Sequence, residues 1–264
     1  MSEQNGKVQL TISDGVAAIL IDRPQARNAM TWAMYEELGA ICTRIAADPS
    51  VRVATIRGAG GEAFVAGTDI EQFRTFRDNA EGGDDGIAYE QAIDERVGQI
   101  ESLPMPTIAI VEGWAIGGGL AISAACDFRI ATPNSSFGVP IARTLGNCLS
   151  MKNTARVVAA VGVPTAKRLL LLAETIGALE AQACGFVTKV AEPGALEEEV
   201  ASMCKRLASH APVTMRVSKE AIRRLVNAGL PDAEDLIRAA YGSFDFKIGV
   251  NAFLDKQRPQ WSGA

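Results

Sequence analysis

Histidine occurs once in these 264 residues, at His210, and the five cysteines (Cys42, Cys126, Cys148, Cys184 and Cys204) are scattered, with no Cys-x-x-Cys pair. That usage is not that of a disulfide framework or a zinc site. It fits a reduced, cytoplasmic compartment, and no metal site is expected. A Ser-His-Asp triad would have to use His210, in Ala208-Ser209-His210-Ala211-Pro212, and no Gly-x-Ser-x-Gly elbow is present. The plainer role for His210 is a cation at a helix end. No apolar run approaches the ~18 residues that span a bilayer, and Met1 to Lys7 lack the charged and apolar regions of a signal peptide. Basic charge is also short: 26 Lys and Arg stand against 31 Asp and Glu, net −5, which argues against a nucleic-acid footprint and against a membrane surface.

What is present reads as a globular α/β chain. Apolar residues make up 48% and charged residues 22% of the whole, which rules out general disorder. Val8, Leu10 and Ile12 alternate with polar residues, and Ser13-Asp14-Gly15 turns the chain into Val16–Ile21, an antiparallel hairpin. Thr31 is placed to cap a helix in which Met34, Leu38, Ile41 and Ile45 recur at helical steps. Strands are expected at Val51–Ile56, Pro106–Val111 and Cys126–Ile130, interleaved with helices to about residue 190, the pattern of a largely parallel sheet. Residues 74–94 are acidic and glycine-rich, and read as a mobile segment followed by a helix ending near Leu103. From Ala195 onward the period is helical, broken at Pro212 and Pro231, so the chain divides into an α/β core (1–194) and an α-helical C-terminal region (195–264) suited to a lid or an assembly surface.

Two glycine-rich segments carry the functional reading. Gly58-Ala59-Gly60-Gly61-Glu62-Ala63 follows a strand and formally matches a dinucleotide fingerprint, but Phe64-Val65-Ala66-Gly67 comes next where an amphipathic helix is required, which disfavours a nicotinamide dehydrogenase. In Gly113-Trp114-Ala115-Ile116-Gly117-Gly118-Gly119 the glycines precede a buried helix, Leu120 to Ala125. Main-chain N–H groups at such a helix start can face an anionic atom without side-chain obstruction. Close strand-to-helix packing is the alternative explanation for the same glycines.

Taken together, Arg23-Pro24-Gln25-Ala26-Arg27-Asn28-Ala29, Phe64 through Ile70, Gly113 through Gly119, Phe137-Gly138-Val139-Pro140, Ala178-Leu179-Glu180-Ala181 with Gly185-Phe186-Val187, and Ala252 through Lys256 resemble the enoyl-CoA hydratase/isomerase (crotonase) superfamily, in order and over essentially the whole chain. The resemblance implies a spiral of ββα units with a C-terminal helical region, an acyl-CoA thioester substrate, no separate cofactor, and a homotrimer or homohexamer. It also implies an oxyanion hole formed by the main-chain N–H groups of Thr68 and Gly118, where one such donor is worth about 2.7–4 kcal/mol as an enolate develops. CoA contacts carry over to Ala26, Arg27, Ala66, Asp69, Ile70 and Gly117. Phe253 and Lys256 match positions that reach the nucleotide from a neighbouring subunit.

Departures from the family lie in the acid–base groups. Hydratases of the family use two glutamates; Ala121 stands at the first position and Ile141-Ala142 at the second. General acid–base catalysis contributes about 10²–10⁴-fold, so ordinary hydration should be lost unless other groups serve. Arg143 and Cys148, with Asn147 and Ser150, are the candidates in the following segment; Tyr241, Asp245 and the Asp69/Glu71 pair are further ones. Asn147 or Ser150 could equally cap a helix running from Met151 to Val158. The leading expectation is a lyase or isomerase acting on acyl-CoA with an unorthodox acid–base set. Its alternative is a catalytically idle acyl-CoA binder.

Overall fold

The computed structural model describes residues 6–77 and 79–263. Strands β1 (Lys7–Ser13) and β2 (Val16–Asp22) form the expected antiparallel hairpin, turned at Asp14 and Gly15, both at positive φ. Helix α1 (Trp32–Ala46) starts at Thr31, whose hydroxyl accepts from the Met34 N–H at 3.3 Å; Met34, Leu38 and Ile45 are buried. Then follow β3 (Val53–Gly58), β4 (Ala63–Val65), a 3-10 turn (Ile70–Thr75), α2 (Asn79–Glu101), β5 (Thr107–Val111), β6 (Trp114–Ile116), α3 (Gly118–Ala125), β7 (Phe128–Ala131), β8 (Ser136–Gly138) and the short α4 (Ile141–Thr144). Helix α5 (Met151–Leu171), bent at Gly162, leads through β9 (Thr175–Gly177), α6 (Ala178–Ala183) and β10 (Lys189–Val190) into α7 (Leu196–Ala208), α8 (Pro212–Asn227), α9 (Glu234–Tyr241) and α10 (Phe244–Leu254).

Successive strand pairs divide between two sheets. One has the order β1-β2-β3-β5-β7-β10, the other β4-β6-β8-β9. Thus β3, β5 and β7 lie parallel in the larger sheet, while the strand after each one lies parallel to its counterparts in the smaller sheet. Repeating strand, strand and helix in this way generates the expected ββα spiral. After the Gly58 loop comes strand β4 and no helix, so the dinucleotide geometry is not formed.

Residues 74–94 depart from the reading as a mobile stretch: apart from the connecting Phe76 and Arg77, and Asp78, which lies outside the described residues, they form the end of the 3-10 turn and the first four turns of α2. The glycines that suggested a loop are helix-packing positions. A Cβ on Gly83 would meet the Arg238 backbone at 3.1 Å, and one on Gly86 would enter the Tyr241 ring at 2.3–2.6 Å. Glycine thereby lets α2 and α9 approach closely. Gly86→Ala is expected to destabilise the protein by about 1–3 kcal/mol through overpacking, despite alanine's better helix propensity, and a lowered denaturant midpoint would register it. Helix α5 likewise extends well past the expected Val158, and its cap is Ser150, whose hydroxyl accepts from the Asn153 N–H at 3.0 Å. Among the described residues no helix is long and apolar enough to cross a membrane.

Candidate functional site

Two turns define the centre of the site. In the first, the Ala66 N–H donates to the Arg27 carbonyl at 3.1 Å, the Met30 N–H to the Gly67 carbonyl at 2.9 Å, and the Asp69 N–H to the Met30 carbonyl at 2.9 Å. This pairing pins residues 66–69 to the segment after β2 and leaves the Thr68 N–H with no acceptor among the described residues. In the second, the Gly117 N–H donates to the Gly138 carbonyl at 2.9 Å, and Gly118 opens helix α3. A first-turn N–H has no intrahelical partner, and the Gly118 N–H finds no other among the described residues.

These turns touch. A Cβ on Gly117 would lie 3.8 Å from the Gly67 Cα, and one on Gly118 would lie 3.5 Å from the Thr68 Oγ1 and 2.6 Å from the Tyr35 hydroxyl. Gly119 must also lack a side chain, since its Cβ would fall 2.0 Å from the Val65 carbonyl oxygen, where α3 seats on β4. The Thr68 hydroxyl is held from behind by two phenols, Tyr35 and Tyr89, each at 3.0 Å. Burial raises the Tyr35 phenol to about 12 and the Tyr89 phenol well above its usual range, so both stay neutral hydrogen-bonding groups.

Both turns open onto a cavity of about 720 Å³. Ala26, Arg27, Ala66, Asp69, Ile70 and Gly117 line it beside Thr68 and Gly118. Arg27 is exposed at a left-handed φ of 51°, and the Asp69 carboxylate pairs with Arg23 at 2.9 Å while capping the 3-10 turn. Phe253 and Lys256, expected from a neighbouring subunit, line the cavity of their own chain, because α9 and α10 fold back over α2 and the 3-10 turn. Phe253 is 48% exposed there, so an aromatic face is left for a ligand at the rim.

The polar groups of the candidate segment separate. Arg143 is exposed on α4 and does not line the cavity, whereas Ile141 and Thr144 do. Cys148 lines it, but burial first and the Glu90 charge second push its thiol up to about 12, so it is not a thiolate at neutral pH. Asn147 lines it and donates to the Tyr241 hydroxyl at 3.2 Å; its own amide oxygen is buried with no partner among the described residues. Asp245 is turned to the chain end, accepting from Ser262 at 2.6 Å. Ala121 presents a methyl group to the cavity.

A carboxyl that the sequence analysis did not single out lies in the same cavity. Glu90 of α2 is only 3% exposed. Its Oε1 accepts from the Tyr241 hydroxyl at 2.6 Å and its Oε2 from the Ser150 N–H at 2.8 Å, just ahead of the α5 N-terminus. Burial pushes its pKa up to about 7, against the opposing pull of those two hydrogen bonds. Of the carboxylates lining the cavity, Asp69, Glu71 and Glu90, only Glu90 is buried. A signal was available: Glu90, Ile93, Val97 and Ile100 fall at three- and four-residue steps, which puts a carboxyl inside the apolar stripe of a helix.

Comparison with known proteins identifies a family. The Enoyl-CoA hydratase/isomerase family model matches residues 11–264. The chain is 34% identical over 247 residues to a short-chain-enoyl-CoA hydratase of Clostridium acetobutylicum, covering 92% of each. It is 35% identical over 248 residues to a crotonyl-CoA hydratase of Syntrophomonas wolfei, covering 92% of this chain and 93% of that one. Among solved structures, a methylmalonyl-CoA decarboxylase in complex with 2-nitronate-propionyl-CoA superposes with a TM-score of 0.87 at 26% identity, over 97% of this chain and 98% of that one.

Proposed function

The chain belongs to the enoyl-CoA hydratase/isomerase family, and from that footing we propose that it is a lyase or isomerase that works through a thioester enolate gripped by the Thr68 and Gly118 main-chain N–H groups. The observation that carries this reading is the pair of unsatisfied donors on two touching turns that open into one cavity. Donors fixed by the fold need no reorganisation when charge develops on the carbonyl oxygen, which is why such a pair lowers the barrier to enolate formation. The start of α3 adds the positive end of a helix dipole at Gly118.

CoA would lie across Ala26, Arg27 and Ala66 to Ile70, with Phe253 and Lys256 at the rim. Arg27 and Lys256 offer cations for its phosphates. The exposed apolar residues Val213, Val217, Ile222 and Leu225 of α8 support assembly into a homotrimer or homohexamer.

The acid–base set differs from that of a two-glutamate hydratase, because Ala121 and Ile141 supply no proton-transferring group. Hydration of crotonyl-CoA is therefore expected to run about 10²–10⁴-fold below that of an enzyme with both glutamates, as read by loss of enoyl absorbance. Incubating saturated acyl-CoAs in heavy water tests the enolate itself. Deuterium at the α-carbon, seen by mass spectrometry, is the expected result. Tight acyl-CoA binding without exchange or turnover would overturn the reading in favour of an idle binder.

A further inference from the structure

We propose that Glu90 is the general acid–base of this enzyme, taking the α-proton of the bound acyl group and returning it, in place of carboxylates at the Ala121 and Ile141-Ala142 positions. The inference rests on the acyl-CoA reading above and supplies the proton acceptor that reading lacks. Glu90 is the buried carboxyl of the cavity onto which Thr68, Gly118 and Ala121 all open. Its charge is felt at the Tyr35 and Tyr89 phenols, which are the two groups bonded to the Thr68 hydroxyl. Tyr89, which bonds the Thr68 hydroxyl, directly precedes Glu90 in the chain, and both line one cavity with Thr68 and Gly118.

The chemistry balances with the groups present. The ionised Glu90 takes the α-hydrogen as a proton; the C–H bonding pair moves into the Cα–C bond, and the thioester carbonyl becomes an enolate oxygen held by the two N–H groups. Protonated Glu90 then delivers the proton to carbon, either the one it left or another within reach, and the carbonyl is restored. A single carboxyl suits this one-group proton shift better than water addition, for which the family uses two.

The hydrogen-bond network has a place for that proton in both states. With Glu90 ionised, the Asn147 amide donates to the Tyr241 oxygen and Tyr241 donates to Glu90. With Glu90 protonated, the carboxyl donates to the Tyr241 oxygen, and Tyr241 can then donate to the Asn147 amide oxygen after that amide turns over. This oxygen is the buried acceptor that has no partner in the ionised arrangement. Ser150 anchors the second carboxyl oxygen throughout.

The charged and titratable groups facing Glu90 leave it as the one that titrates near neutrality. Tyr35 on α1 and Cys148 before α5 are raised to about 12, and Tyr89 on α2 and Tyr241 on α9 are raised well above 10. Asp94, one turn along α2, is raised by burial but held by the Ser150 hydroxyl at 2.7 Å and faced by Arg156 of α5 at 4.0 Å. The ionised form of Glu90 is the acceptor, so α-exchange rises with pH through about 7, the value to which burial brings this carboxyl.

Butyryl-CoA in heavy water is the probe, because it carries α-hydrogens and cannot add water. Glu90→Gln is expected to lower α-exchange at least 100-fold while the Kd for butyryl-CoA stays within about threefold, and Glu90→Asp to retain part of the rate. Tyr241→Phe removes a hydrogen bond that favours the carboxylate, so the pH midpoint for exchange should move upward; a merely structural role would change the rate and leave the midpoint in place. Undiminished exchange in Glu90→Gln, or an unmoved midpoint in Tyr241→Phe, overturns the assignment while the enolate reading stands. Absence of exchange in the unaltered enzyme, with binding intact, overturns both.

Discussion

Gly118→Ala is expected to lower turnover by about 10²-fold or more, the scale of losing one oxyanion donor, with little change in the amount of folded protein. The backbone at this position does not have positive φ, so alanine has no conformational objection. The objection is local: the new methyl group would lie 2.6 Å from the Tyr35 hydroxyl, whose ring is fully buried and cannot retreat. The helix start must then give way, and with it the direction of the Gly118 N–H. Combining Gly118→Ala with Tyr35→Phe removes the obstructing oxygen and should recover much of the lost rate. A steady-state assay of the single and double variants on the same acyl-CoA reads the result; recovery absent from the double variant would mean that the turn is not where the effect originates.

Glu90→Gln carries the second large effect, on stability and opposite in sign to its effect on catalysis. The folded protein raises this carboxyl from 4.5 to about 7. Below pH 4.5 the group is protonated in both folded and unfolded chains and its burial carries no ionisation penalty. As pH climbs from there through 7 the unfolded chain ionises freely while the fold resists, so stability drains away across that window and the full penalty stands above it. At about 1.4 kcal/mol per pH unit, the penalty is about 3 kcal/mol. A neutral glutamine should therefore stabilise the protein by about 3 kcal/mol at pH 8, roughly 6–12 °C in Tm, with the gain vanishing near pH 4.5. Denaturant melts of the two proteins at pH 5 and pH 8 check both size and sign. In the role proposed for Glu90, the protein trades stability for a proton acceptor poised near neutrality.

Local chemistry made much of this fold legible. The alternation of Val8, Leu10 and Ile12, the Asp14-Gly15 turn and the Thr31 cap each act over a few residues, and the structure forms each of them. The glycine turns around residues 67 and 117 were legible for the same reason: what matters there is the absence of a side chain, which the sequence states directly. Residues 79–86 were misread because glycine has two uses, freeing a chain to turn and thinning a helix so that another can approach. Only the positions of Arg238 and Tyr241 on α9 decide between them. Glu90 was missed on similar grounds. In an acidic, glycine-rich stretch a glutamate reads as a solvated side chain, and what buries it is α9 and the start of α5, contributed from far along the chain. Cys148 and Arg143, adjacent to a recognisable motif, drew attention that proximity in sequence did not justify in the case of Arg143, which points to solvent.

The bond between Tyr241 and Glu90 joins residues 151 apart in the chain. A ribosome making this polypeptide lays down Thr68, Glu90 and Gly118 long before Tyr241 emerges, so a nascent chain carries the Glu90 carboxyl before the phenol that bonds it in the fold has been made.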